Sequence, residues 1–157
     1  MLELSEKIKE HFCNPQNVGE IENAEGMGAV SNPVCGDTTK LYLRIKDGVV
    51  EDAKFLSFGC AVTIASASVF TEKIKGKEIS KLFLGTDDEV IQRLVSLIES
   101  ELGEIPPIKL HCPPATVQVF LESISGYLEK EGETELSLRT KSLIPKISEY
   151  YKRGKEE

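Results

Sequence analysis

Cys35, Cys60 and Cys112 stand where the chain breaks its regular patterns: Pro33-Val34-Cys35-Gly36-Asp37, Phe58-Gly59-Cys60 and His111-Cys112-Pro113-Pro114. Each follows a strand-like or Pro/Gly-rich stretch, and the last two directly precede helix-like segments. Free N–H groups and the positive end of the dipole at a helix start favour a thiolate over a thiol. Thiolates bind soft metals and attack sulfur. Asp37 and His111 add a second candidate ligand beside two of the three cysteines. The chain reads as one built to hold something on sulfur.

The cysteines fall 25 and 52 positions apart, unlike the close pairs of a zinc finger. They form a site only if the fold gathers them at one end of a sheet. Three sulfurs with Asp37 or His111 would then supply four ligands, enough for a tetrahedral zinc or the protein share of a two-iron cluster. Asp37, next to Gly36, has the plainer reading of an Asx-turn residue. As a ligand, its harder oxygen would give a site that lets go more easily than four sulfurs. His111 reads as a ligand, a core histidine or a proton donor and acceptor. Lys109 either lowers the pKa of nearby thiols or is a solvated loop lysine. Cys13, at the end of a short helical pattern, reads as a small buried hydrophobe outside the site.

Bulk composition narrows the class. At 157 residues and 40% hydrophobic content the chain suits one globular domain with a core of its own. A net charge of -7 and a pI near 5.0 argue against nucleic acid as a partner. No stretch nears the roughly 18 apolar residues of a membrane span. The first residues lack a signal-peptide pattern. The expected setting is cytoplasmic and reducing, where free cysteines are metal-binding or reactive more often than disulfide-bonded.

The elements that must position these residues follow from periodicity. Leu4, Ile8 and Phe12 predict a short amphipathic helix over residues 2–13, stopped by Asn14-Pro15. Residues 39–46 alternate, with Leu41, Leu43 and Ile45 facing inward and Tyr42, Arg44 and Lys46 outward. Asp47-Gly48 signals a two-residue hairpin. The return strand, from Val49 to about Phe58, points Ala53, Phe55 and Ser57 to one face, and residues 27–31 suit a third, edge strand. Small and apolar residues all round over 60–75 predict a largely buried helix ended by Gly76. Thr86-Asp87-Asp88-Glu89 is a capping box opening a helix that Gly103 ends. Pro113-Pro114 pre-sets a further helix, and Pro106-Pro107 should hold the approach to His111 extended and presentable. Leu143, Ile147 and Tyr150/Tyr151 recur at helical spacing in a tail. The expectation is an α+β domain over residues 1–130, a three-stranded antiparallel sheet with helices packed on it, and a helical tail over 131–157.

Together these residues resemble the IscU-type iron–sulfur cluster assembly scaffolds, the module also found at the N-terminus of NifU. The matching pieces are His11-Phe12-x-Asn14-Pro15-x-Asn17-Val18-Gly19, Asn32-Pro33-x-Cys35-Gly36-Asp37, Phe58-Gly59-Cys60-Ala61-x-x-Ile64-Ala65-Ser66 and Ile105-Pro106-Pro107-Ile108-Lys109-Leu110-His111-Cys112. The resemblance implies a carrier rather than an enzyme. A cysteine desulfurase would deliver sulfur as persulfide, and a [2Fe–2S] cluster would form on Cys35, Cys60 and Cys112 with His111 or Asp37 as fourth ligand. Transfer to apo-proteins would follow, with Pro106, Pro107, Ile108 and Lys109 gripped by Hsp70 and J-type chaperones. Zn2+ in the resting form and a homodimer around the cluster are further implications. The chain departs from the family at Ala61-Val62-Thr63, where Gly-Ser-Ala is usual, in a longer stretch between Cys60 and Cys112, and in the altered Pro-Pro segment. The alternative within the same fold is a SufU-like, zinc-bound sulfur acceptor and relay. A structural zinc module and a cysteine hydrolase are the readings from other classes.

Overall fold

A computed structural model describes residues 3–31 and 36–156, with side chains through 150. Cys35, with Asn32, Pro33 and Val34, lies outside the described residues. Strands β1 (Gly26–Ser31), β2 (Thr38–Lys46) and β3 (Val49–Phe58) form one antiparallel sheet in the order β1-β2-β3. Helices α1 (Glu6–Cys13), α2 (Ala61–Ile74), α3 (Ile79–Leu82), α4 (Asp87–Leu102), α5 (Cys112–Lys130) and α6 (Thr134–Glu156) complete an α+β architecture.

The hairpin forms as its dipeptide demands: Asp47 and Gly48 have φ of 53° and 75°, the pair of positive values a type I′ turn needs. One feature of β3 escapes simple alternation. Arg44 pairs with Asp52 but Ile45 pairs with Val50, so Glu51 is a bulge residue. The extra residue switches phase, which lets Val50 share the buried face with Ala53 and Phe55. The outer face of β2 is not bare either. The Arg44 guanidinium draws residues 22–25 over it by donating to the carbonyls of Glu22 and Asn23 and the carboxylate of Glu25, and Tyr42 on the same face is buried.

Helix α2 is buried nearly all round, and α5 crosses β1 at its glycines. A Cβ on Gly28 would lie 2.9 Å from the Ser123 backbone nitrogen, and one on Gly26 2.9 Å from its carbonyl oxygen. Only glycine admits that approach. Phe70 of α2 and Phe120 of α5 meet edge to face with centroids 5.2 Å apart, the preferred aromatic geometry. Helix α4 opens with the full capping box on Thr86 and Glu89 and buries its Val90, Ile91, Leu94, Val95, Ile98, Leu102 stripe. Helix α6 packs on α5: Leu143 and Ile147 are fully buried, and Ser137 Oγ donates to the Ser125 carbonyl.

Helix α1 corrects the sequence-based expectation. Ile8 is fully buried, but Phe12 and Cys13 are exposed. Two turns dock only one narrow stripe. Ser5 Oγ donates to Leu102 O and caps Ile8 N–H, while His11 Nδ1 meets Ser68 Oγ at 2.8 Å. That orientation turns the last residues outward. With the loop that follows, the polar motif 11–19 forms a structural clasp. Gln16 N–H donates to Ser68, Asn17 Nδ2 to Thr71 and Glu72, and residues 17 and 19 pair with both backbone groups of Phe55. The exposed edge of β3 is thereby closed.

Candidate functional site

The register places Thr38 opposite both Ser31 and Phe58, so Asp37 and Gly59-Cys60 leave the sheet at the same end. Helices α2 and α5 both start there. Cys60 is the N-cap of α2, with φ -75° and ψ 171° and its carbonyl accepting from Ile64 N–H. Cys112 is the first residue of α5 after the N-cap His111. Both helix starts thus aim partial positive charge at one place, α2 with free N–H groups and α5 with fewer, because Pro113 and Pro114 carry none. The two sulfurs stand 4.0 Å apart, well beyond a bonded disulfide.

Cys60 has no side-chain cap of its own. The cap comes from the other side of the hairpin: Asp37 Oδ2 accepts the Cys60 N–H at 3.2 Å and the Thr63 hydroxyl at 2.5 Å. Asp37 thus takes a long-range role, a carboxylate on a helix start. Thr63 Oγ1 also lies 3.4 Å from each sulfur. His111 is buried, with Nε2 3.7 Å from Cys112 Sγ. Cys112 is buried as well, whereas Cys60 is half-buried and open to a reactant.

These surroundings hold the Cys60 thiol at about 5, down from an ordinary 9.0. The Cys112 side chain is the largest cause; burial opposes it, and the Thr63 hydroxyl and backbone with the Lys109 charge add to the lowering. A half-exposed, ionised sulfur is a nucleophile and a soft metal ligand at neutral pH.

The approach to His111 differs from the extended shape expected for it. Only Pro106 is extended (φ -54°, ψ 137°); Pro107–Lys109 coil into a 3-10 turn closed by Lys109 N–H to Pro106 O at 2.8 Å. The turn buries Pro106 and leaves Pro107 and Ile108 exposed. Among the described residues, the structure brings Cys60, Cys112, Asp37 and His111 together, and no three His, Cys, Asp or Glu residues close into a metal cage. The residue that sequence reasoning missed is Thr63. Its signal in the sequence is a hydroxyl one helical turn after Cys60. No described helix is long and apolar enough to cross a membrane.

Comparison with known proteins extends this picture. A family model described as "NifU-like N terminal domain" matches residues 3–134. The chain is 41% identical over 131 residues to the iron-sulfur cluster assembly scaffold protein IscU 1 of Archaeoglobus fulgidus, covering 83% of this chain and 80% of that one. It is 37% identical over 135 residues to the IscU scaffold of Aquifex aeolicus, covering 85% and 81%. The IscU scaffold of Escherichia coli is 35% identical over 130 residues, covering 80% and 94%. A solved NifU-like N-terminal structure from Brucella abortus superposes with a TM-score of 0.50 at 21% identity, over 90% of this chain and 94% of the other.

Proposed function

The chain belongs to the NifU-like N-terminal domain family, and from that premise we propose that it is a scaffold on which an iron–sulfur cluster is assembled and from which it is handed on. The observation that carries the reading is the pair of sulfurs 4.0 Å apart at two helix starts, one of them ionised near neutral pH. The cargo is a [2Fe–2S] cluster. Cys35, Cys60 and Cys112 supply thiolates, and Asp37 or His111 supplies the fourth ligand. A thiolate set with one harder or protonatable donor suits a carrier, because that donor is the first to let go.

Sulfur arrives as persulfide from a cysteine desulfurase, and the half-exposed, ionised Cys60 is suited to receive it. Zn2+ can occupy the same ligands in the resting protein. The exposed Pro107 and Ile108, followed by Lys109, offer an apolar and cationic knob for Hsp70 and J-type chaperones. Apo iron–sulfur proteins are the acceptors, and a second copy of the chain can shield the cluster. Residues 1–130 carry these functions and residues 131–157 form the tail unit.

The test is anaerobic reconstitution of the metal-free protein with ferrous iron and sulfide. The expected result is charge-transfer absorption with two irons and two sulfides per site, lost in Cys35→Ser, Cys60→Ser and Cys112→Ser. Asp37→Ala should slow cluster loss. Tight zinc binding with no stable cluster, even in Asp37→Ala, would replace this reading with that of a sulfur acceptor and relay.

A further inference from the structure

Asp37 is restrained by more than its own strand. A Cβ on Gly59 would fall 2.7 Å from Asp37 Cγ, so the carboxylate lies directly against the bare backbone there. Its Oδ2 then takes two donors, the Cys60 N–H and the Thr63 hydroxyl. Thr63 has a single proton and three acceptors in reach: the carboxylate at 2.5 Å and the two sulfurs at 3.4 Å. The carboxylate is the closest and the stronger acceptor, so the proton points to it. Thr63 is itself buried.

We propose that Thr63 is a positioning residue for Asp37: its hydroxyl clamps the carboxylate against the start of α2 and thereby sets how fast the metal cargo leaves. The proposal rests on the scaffold reading above. While the clamp holds, the carboxylate stays in one place beside the sulfurs. Without it, Asp37 loses its shortest hydrogen bond and swings more freely, and an exchangeable donor that moves freely admits water and acceptor ligands sooner.

The experiment compares Thr63→Val, which keeps the shape and removes the proton donor, with Thr63→Ser, which keeps the donor. Each is made alone and in an Asp37→Ala background, and thermal melts check the fold. Thr63→Ala, a good helix former, stands in if valine perturbs α2. Two release rates are read: the reconstituted cluster to an iron chelator, and zinc from the zinc-loaded protein to a chromophoric chelator. Thr63→Val should speed both by about tenfold, the order expected for one hydrogen bond to a charged group. Thr63→Ser should stay near wild type, and Thr63→Val with Asp37→Ala should match Asp37→Ala alone. An unchanged rate in Thr63→Val, or an equal acceleration with Asp37 absent, overturns the proposal; the latter would mean that the hydroxyl acts on the sulfurs. If no cluster forms on the wild-type chain, the scaffold reading fails, and the zinc rates judge the clamp by the same criteria. A wild-type chain that retains neither cargo overturns both.

Discussion

The two ends of the sheet are closed in different ways. At the hairpin end the closure is made of backbone. Gly76 N–H donates to Val50 O, Val50 N–H to Lys77 O and Ile79 N–H to Gly48 O, and Val49 bridges Glu78. At the other end the contacts are side chains: Asp37, Thr63, Cys60 and Cys112. Helix α2 spans the distance, starting at the second and finishing at the first. Backbone pairing does not change with pH, because its groups do not titrate, and it presents no thiolate to a soft metal. Side-chain pairing can be exchanged for a ligand. The fold thus fixes one end and leaves the other open to chemistry.

That contrast can be broken first from the middle. Phe120→Ala, in the packed layer that both ends rely on, should cost about 4 kcal/mol in denaturant titrations, with both ends lost together. A smaller cost would mean that the ends fold independently of the α2–α5 contact. Gly48→Ala should cost about 1 kcal/mol, since an L side chain is strained at φ 75°. It should leave thiol reactivity at the far end unchanged.

At the open end the expected effect is on titration more than on stability. Alkylation of Cys60 should show a midpoint near pH 5, and Cys112→Ser, which removes the largest cause of the lowering, should move that midpoint upward. The linkage has a definite sign. A thiol whose folded pKa is depressed adds stability that is fully present above about pH 9 and disappears as pH falls through about 5. Solvent exposure of Cys60 keeps that gain modest. Melting temperatures that fall between pH 6 and 8 in wild type, relative to Cys60→Ser, would contradict it. The smallest effect belongs to the tail. Asp87 is held below its usual range chiefly by Lys146, then by Arg139, both on α6. Those pairs are partly exposed, so Asp87→Asn should cost about 1 kcal/mol or less and loosen α6 without touching Cys60 reactivity, as hydrogen exchange would show.

Much of the scaffold was legible locally. The Asp47-Gly48 turn, the capping box at Thr86 and the buried stripe of α4 follow from φ preferences, cap chemistry and period, all properties of neighbours in sequence. The short helix α3 was not legible, being four residues without a cap. The exposure of Phe12 and Cys13 is not legible in the sequence, because a two-turn helix has too few residues to show which stripe docks. The bulge at Glu51 was hidden because strand alternation presumes a constant phase. For Pro107–Lys109 the two prolines suggested extension, but only the first takes it.

By itself, then, the order of residues determined the sheet, the helix starts and the presence of sulfur at three breaks, because each depends on interactions within a few positions. Only tertiary structure decided that Cys60 and Cys112, 52 positions apart, meet at 4.0 Å, that Asp37 caps a helix on the far side of a hairpin, and that Thr63 lies among them. Those facts depend on the register of β2 against β3 and on glycines that let helices approach the sheet. Such distances arise from packing many elements at once, and no local pattern encodes them.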